Sequence, residues 1–569
     1  MENNLCPEIQ AEGKAWRFCG VWARNREEWM ITLLAGMHFG ITNVGFYDAM
    51  NIQAVDYILN QTKLTTIFCE PALVKKIVDM KNKGLGASLK NLVIFSKPYD
   101  LLESEMYEKG REAGLTLREF NVVRYEGEKS SIPFRVSQPD DVYIFSYTSG
   151  TTGDSKGVKL AHRNIIASVL SIRDYIPFEV DDVCISYLPY PHSFEQAMTC
   201  LSCMVGSSIG YYQGNTLKLT EDCQKLKPTF FPSVPRLYNK IFSSIPAKFE
   251  DATGCKRWLI DTALASKQAA SVNAVYTSGC YDALVFNKIK DLLGGRVRNM
   301  ITASAPIDLE VLDFLKICFC CPIMEAYGLT EVSGGATSTK AEDPITGHVG
   351  GPIQRLRIRL RDVPEMSYFS TDKPYPRGEV CMKGPTVFSG YFLRPDKTAE
   401  AFDKDGWFLT GDVAMIYPNG TIKIVDRSKN IFKLSQGEYI APEKIENILV
   451  LSQYVEQSFV YGDSLKNCAV VICVPAQAEV EKFKASHPDV DVLASKDFKK
   501  LVLDDMTRLL TEHHCTSLEK PKAISFFTEP FSVDNDILTP TFKLKRNIAK
   551  QVFKEQIDAM YADLQAAGL

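Results

Sequence analysis

Short β-rich runs alternate with amphipathic stretches from the start of the chain, and this limits the possible folds more than any other feature. RFCGVWA (17–23) reads as a strand, and NREEWMITLLAGMH (25–38) as the helix that follows it. TTIFCE (65–70), NLVIFS (91–96) and DVYIFSYTS (141–149) are further short strands, each bounded by helical or turn segments. Strands alternating with helices predict an α/β fold built on largely parallel sheets, because a parallel strand pair needs a crossover and a helix is the usual one. No repeat at a fixed period and no low-complexity tract interrupts the pattern.

The texture changes near Gly347. HVGGPI, RLRIRLRD, GEVCMKG and GTIKIVD are short strands separated by Gly, Pro and Asp turns, which predicts an antiparallel, β-barrel-like subdomain. After the charged segment DRSKNIFK (426–433), VEQSFVYGD and CAVVICVP read as strands of a further compact α/β region. The expected division is a large domain over 1–427 and a small, mobile α/β domain over 428–569, a size that can fold as a unit.

Composition bears mainly on what the chain does not do. With 45% hydrophobic and 24% charged residues and a net charge of -4, it has the balance of a globular protein and no basic field for nucleic acid. The longest uncharged run, Met30 to Tyr47, contains Thr, Asn, His and three Gly; it reads as a helix entering a buried strand, not a membrane span. MENNLCPEIQ has no apolar core and is no signal peptide, and AAGL is no retrieval or peroxisomal signal. The expectation is a cytoplasmic chain without a transmembrane segment. Peripheral contact with the cytosolic face of the endoplasmic reticulum or another organelle stays open, as does homodimerisation. Sixteen cysteines suit a reducing compartment. Cys200 and Cys203 form one CxxC, and Cys318, Cys320 and Cys321 a cluster; neither has partners at metal-ligand spacing, so both read as buried structural thiols.

The sharpest chemical signal is YTSGTTGDSKG, Tyr147 to Gly157, directly after a strand. Gly150, Gly153 and Gly157 let backbone approach an anion closely. Thr148, Ser149, Thr151 and Thr152 offer hydroxyl donors, and Lys156 offers compensating charge. A Walker loop needs G-x-x-x-x-G-K-[ST], and Gly157 after Lys156 breaks that template.

The segment instead resembles the phosphate loop of the adenylate-forming superfamily, which includes acyl-CoA synthetases, luciferases and peptide-synthetase adenylation domains. Ser155 stands where that family usually has proline, which stiffens the loop less but removes no donor. Other motifs follow in the family's order. In YGLTE, the resemblance implies that Tyr327 stacks on adenine, Thr330 bonds the α-phosphate and Glu331 helps hold magnesium, with Thr151 as a second metal contact. An aromatic face suits a base and a carboxylate suits a hard cation. TASAPI (302–307) takes the place of an adenine-contacting segment, in which Ser304 departs from the commonest form and Ala305 follows it. Asp412 ends DGWFLTGD and is expected to accept from both ribose hydroxyls; Arg427 in VDRSK is expected on the ribose or phosphate. Lys429 sits at the family's inter-domain hinge. Lys543 in PTFKLKR aligns with the family's final catalytic lysine, with Lys545 as a neighbour that could be confused with it.

QGEYIAPEKIE, GHVGGPI, RDVPEM, GPTVFSGYF and LTPTFKLKR together look like eukaryotic long-chain acyl-CoA synthetases over nearly the whole chain. That family normally extends further at its N-terminus, often with a membrane anchor, and this sequence is expected to begin inside the first α/β unit. His192 in YLPYPHSFEQ corresponds to a position near the acyl carboxylate, with a satisfied core histidine as the competing reading. Tyr238 in VPRLYNK falls where some relatives place a gate to the acyl tunnel, with a packed helix aromatic as the competing reading. The resemblance implies ATP-dependent activation of a long-chain fatty acid through an acyl-adenylate, with Mg2+ as cofactor and coenzyme A as acceptor. The alternatives are a ligase for a medium-chain or aryl acid, and a non-catalytic nucleotide- or acyl-binding relative.

Overall fold

The computed structural model describes residues 5–97, 101–148, 155–246, 249, 252–436, 438–539 and 542–566. Its first sheet has the strand order Thr116–Glu119, Asn91–Ile94, Thr66–Cys69, Lys14–Trp22, Thr42–Phe46, Val142–Thr148, Lys156–Ala161. All neighbours up to Val142–Thr148 run parallel, and Lys156–Ala161 returns antiparallel as the far limb of the phosphate loop. Helix Glu27–Phe39 joins the central pair. It starts with Glu27 and Glu28 at the positive end of its dipole and ends at Gly40, whose φ of 65° lets its N–H close on the Gly36 carbonyl. All five residues of the following strand are buried, so the uncharged run from Met30 is a helix entering a core strand, as the sequence predicts.

The second sheet is ordered Ser208–Tyr211, Val183–Ser186, Phe230–Ser233, Asn299–Thr302, Ile323–Tyr327, Thr337–Ser338, Gly351–Pro352. Its first five strands are parallel and the last two are antiparallel additions. The two sheets meet at a close approach, where a Cβ on Gly45 would lie 2.9 Å from the Pro191 side chain. The piece after Gly347 is a four-stranded antiparallel sheet, Arg357–Arg361, Arg377–Lys383, Phe408–Ile416, Ile422–Arg427, whose first and last strands do not pair with each other. Of the antiparallel and barrel-like readings that the sequence allows, the strands take the antiparallel one as an open sheet.

Beyond Arg427 the chain builds a three-stranded sheet, Val455–Tyr461, Val470–Pro475, Ile524–Phe526. Two clusters bury its faces: one runs from Leu434 to Phe526, and the other carries Phe459, Phe553 and Leu564. The clusters under the first two sheets contain no fully buried residue beyond Ile422. A small group around Val363, Val413 and Tyr439 joins the third sheet to the hairpin that follows it. Of the two cysteine groups, Cys318, Cys320 and Cys321 are buried, whereas Cys203 is exposed near the end of helix Ser193–Val205, contrary to the buried thiol expected there. All sixteen thiols are free.

Candidate active site

One cavity of about 580 Å³ lies beyond the C-terminal ends of the parallel strands, the usual ligand position in open α/β sheets. Thr148, Ser233 and Thr302 end strands, and Tyr327 ends the strand that opens YGLTE. Thr148, Lys156, His192, Ser304, Tyr327, Thr330, Glu331, Arg427, Lys429 and Lys543 all line the cavity. The tip of the phosphate loop, with Ser149, Gly150, Thr151, Thr152 and Gly153, lies outside the described residues. Gly157 is buried and does not line the cavity; a Cβ there would meet the Tyr147 ring at 3.0 Å.

The YGLTE turn is set by two glycines. A Cβ on Gly328 would fall 1.5 Å from the Gly334 carbonyl oxygen, so only glycine permits this crossing. Thr330 and Glu331 then begin a short 3-10 turn, both buried. The Glu331 carboxylate accepts from the Tyr391 hydroxyl at 2.8 Å, and Lys156 Nζ sits 4.5 Å from the centre of the same ring. Tyr391 thus connects the phosphate-loop lysine to the acidic residue, although nothing in GPTVFSGYF marks it locally as a site residue. Burial lowers the Lys156 pKa, and Glu331 opposes that shift.

Asp412 and Arg427 face each other across paired strands, with Nε to Oδ1 at 3.1 Å. Tyr327 donates to Asp412 Oδ2 at 2.7 Å. Three residues from three sequence segments therefore form one polar network: Tyr327 and Arg427 line the cavity, and buried Asp412 joins them without lining it. Burial raises the Asp412 pKa, while Arg427 and the Tyr327 hydroxyl pull it back down. Ser304 holds φ +79°, a conformation that favours glycine, and lines the cavity with Ala303. Ala305 is exposed and outside the lining. After the left-handed turn at Ser304, Ala305 points away from the lining that Ala303 and Ser304 form.

His192 caps helix Ser193–Val205, its Nδ1 accepting from the Phe194 N–H at 3.3 Å. That leaves Nε2 as the ring's donor in the neutral form. Burial, with a smaller push from Lys543, lowers its pKa to about 3. Gln196 on the same helix donates to Ser146 Oγ at 3.1 Å, tying the helix to the strand that leads into the phosphate loop. Its neighbour Glu195 bonds Ser186 and Asn25, and burial raises its pKa to about 8.

Lys543 reaches the cavity from the C-terminal segment. Its N–H donates to Thr539 Oγ1 at 3.0 Å, and burial, then Arg427, lowers its pKa to about 8, while Glu443, Asp412 and Glu331 oppose the shift. Lys545 also reaches the cavity edge, but its ammonium is paired to Asp536 at 2.6 Å. This separates the two lysines that the sequence leaves adjacent. Lys429 is exposed at the cavity rim, and the N–H before it, on Ser428, donates to the Gly411 carbonyl at 2.9 Å.

Tyr238 is fully buried and does not line the cavity. Its hydroxyl lies 3.1 and 3.2 Å from the Phe231 and Ile301 carbonyl oxygens, which share its proton. It is a core aromatic rather than a gate in this conformation. Apolar side chains in the lining include Ile172, Ile176, Phe194, Ala197 and Met198, with Gly335 beside Ile172.

A protein-family model described as AMP-binding enzyme matches residues 13–392. The chain is 40% identical over 554 residues to Long chain acyl-CoA synthetase 7, peroxisomal, of Arabidopsis thaliana, covering 96% of this chain and 78% of the relative. It is 39% identical over 561 residues to human long-chain-fatty-acid–CoA ligase 1, covering 96% and 79%. Among solved structures it resembles the adenylation domain of a carboxylate reductase from Mycobacterium chelonae, with TM-score 0.81, 26% identity and coverage of 96% and 80%. The corresponding domain from Segniliparus rugosus, in complex with AMP and a co-purified carboxylic acid, matches with TM-score 0.79 and 25% identity over 98% of this chain and 85% of that one.

Proposed function

The chain belongs to the AMP-binding enzyme family and, within it, to the long-chain acyl-CoA synthetases, and from that premise we propose how its residues divide the reaction. It is an AMP-forming long-chain fatty acid–CoA ligase. A carboxylate is a poor acyl donor because it is anionic and resonance-stabilised. Its attack on the α-phosphate of ATP gives acyl-AMP and pyrophosphate, and the coenzyme A thiolate then displaces AMP to give the thioester. The observation that carries the reading is the cavity itself: Tyr327 and Arg427, both bonded to the buried Asp412 carboxylate, a cationic group in Lys543 and a set of apolar side chains line one space.

The assigned roles follow from charge and shape. Asp412, already a double acceptor, would take the ribose hydroxyls, and Tyr327 would offer its face to adenine. Lys543 and Lys156 would stabilise charge on the phosphates as pyrophosphate leaves. His192, neutral with Nε2 as donor, would orient the acyl carboxylate. Mg2+ fits Glu331: this buried carboxylate lines the cavity, and magnesium commonly takes one or two protein carboxylates plus substrate phosphates. When bound, the ion would neutralise phosphate charge; Thr151, the second expected contact, lies outside the described residues.

We further propose that residues 1–427 and 428–569 move as two bodies about Lys429. The separate cores beyond Leu434 support this. With Lys543 in the cavity, the structure has the arrangement suited to adenylate formation; rotation would withdraw it and admit coenzyme A. No helix among the described residues is long and apolar enough to cross a membrane. Sixteen free thiols support a reducing compartment, and we propose the cytoplasm, with peripheral membrane contact and homodimerisation resting on the resemblance alone.

The test is pyrophosphate release across carboxylic acids of graded length, with and without coenzyme A. Release that grows with chain length, and thioester formation only with coenzyme A, is expected. A maximum at acetate or benzoate would overturn the long-chain assignment.

A further inference from the structure

Away from the cavity, three side chains with nothing to do in the reaction above converge on one point. Lys267, on helix Gly254–Ser271, is only 2% exposed. Its Nζ lies 2.7 Å from Asp282 Oδ1 and 2.9 Å from Cys320 Sγ. Cys320 Sγ in turn donates to the same Asp282 oxygen at 3.3 Å, which closes a triangle of amine, thiol and carboxylate. Ser278 N–H holds the other carboxylate oxygen at 2.8 Å, and the Phe286 ring lies 4.2 Å from the ammonium. None of Lys267, Asp282 and Cys320 lines the active-site cavity.

A structural ion pair needs only the lysine and the aspartate. The third member is unexpected on backbone grounds. Cys320 ends helix Leu309–Phe319 at φ +58°, a left-handed cap where glycine or asparagine is the usual choice. A cysteine there accepts backbone strain and presents its sulfur to a buried amine.

We propose that Lys267 and Cys320 form a reversible redox site, in which an oxygen atom bridges Lys267 Nζ and Cys320 Sγ as a covalent N–O–S link when the protein meets hydrogen peroxide. The first peroxide converts the thiol: the S–H bond and the peroxide O–O bond break, an S–O bond forms, and sulfenic acid and one water result. Lys267 passes its ammonium proton to Asp282 and becomes a neutral amine. Its nitrogen then bonds to the sulfenic oxygen, and the N–H and O–H hydrogens lost leave as two protons and two electrons. A second peroxide accepts both and becomes two waters. In total the thiol, the amine and two peroxides give the bridge and three waters. The spacing of 2.9 Å suits one intervening oxygen, whereas a direct nitrogen–sulfur bond would draw the two groups much closer.

The bridge would link helix Gly254–Ser271 to the end of helix Leu309–Phe319, which runs directly into the strand carrying Tyr327. It closes a loop between positions 53 residues apart, so the oxidised protein should melt at a higher temperature than the reduced one.

The experiment treats the full chain with graded hydrogen peroxide, digests it and sequences cross-linked peptides by mass spectrometry, with thermal melts alongside. The expected product joins the peptides of Lys267 and Cys320, has gained one oxygen and lost two hydrogens, and reverts with dithiothreitol. Cys320→Ser and Lys267→Arg should each lose both the product and the peroxide-induced rise in melting temperature. Oxidation of Cys320 that stops at sulfinic acid, a disulfide to Cys318 or Cys321, a cross-link lacking the added oxygen, or no reaction at Cys320 while exposed Cys203 oxidises would each overturn the proposal. Cys320→Ser keeps a hydroxyl within reach of Asp282, so its reduced-state melt and basal activity should match the parent, which separates redox chemistry from misfolding.

Discussion

The guanidinium of Arg236 lies 5.1 Å from the centre of the Phe542 ring. Arg236 sits on helix Pro235–Ser244 beside the second sheet, and Phe542 immediately precedes Lys543. This contact ties the loop that carries Lys543 to helix Pro235–Ser244. Arg236→Ala should reduce adenylate formation by about two- to fivefold, the worth of an exposed cation–π pair. Transfer from supplied acyl-AMP to coenzyme A should be unchanged or faster. Parallel pyrophosphate-exchange and thioester assays check this; equal losses in both would remove the latch.

Lys543→Ala should cost adenylation roughly 10² or more while sparing the thioester step, since its charge is needed only as pyrophosphate leaves. The pKa near 8 adds a pH dependence. The protonated form is the useful one, so kcat/KM for ATP should be level below that value and fall as pH rises through it. In Lys543→Arg the alkaline limb should disappear, because a guanidinium stays charged. An alkaline limb retained in that variant would assign the titration to another group.

Lys429→Pro should show the converse pattern to Lys543→Ala. A fixed φ at the hinge resists rotation, so acyl-AMP should accumulate and its transfer should stall. Normal thioester turnover would place the hinge elsewhere.

Gly328→Ala should abolish nucleotide binding. The added methyl would occupy the Gly334 carbonyl, a backbone atom that cannot turn aside, so Tyr327 and Thr330 must move apart. Calorimetric ATP titration of the folded variant checks this; near-parental affinity would mean that the turn relaxes cheaply.

In the proposed reading the acyl chain lies against the apolar lining of the cavity. Each methylene buried there is worth about 0.8 kcal/mol, or about fourfold in kcat/KM, until the space is full. Gly335 faces Ile172, whose Cδ1 would lie 3.1 Å from an added Cβ. Gly335→Val should therefore shift the optimum to shorter acids without changing ATP affinity. An unchanged length profile would place the acyl chain elsewhere.

Part of this protein is legible in its residue order because the signals are local. Alternating strands and helices dictate parallel sheets, and hydroxyls, glycines and a lysine after a buried strand mark a loop suited to an anion, whose tip lies outside the described residues. YGLTE, Asp412 and Arg427 could be picked out by type and order before any contact between them was known. The rest depends on how distant segments cross. The resemblance singles out Lys543 over its near neighbour Lys545, but only the structure shows Lys545 paired to Asp536. Ala303 lines the cavity and Ala305 does not, with a left-handed residue between them. The antiparallel strands expected after Gly347 form an open sheet rather than a barrel, since strand patterning specifies pairing but not closure. Tyr238 withdraws into the core and Tyr391 comes forward to Glu331. An aromatic side chain carries the same local signal in either place, and only the packing of one element on another decides which way it faces.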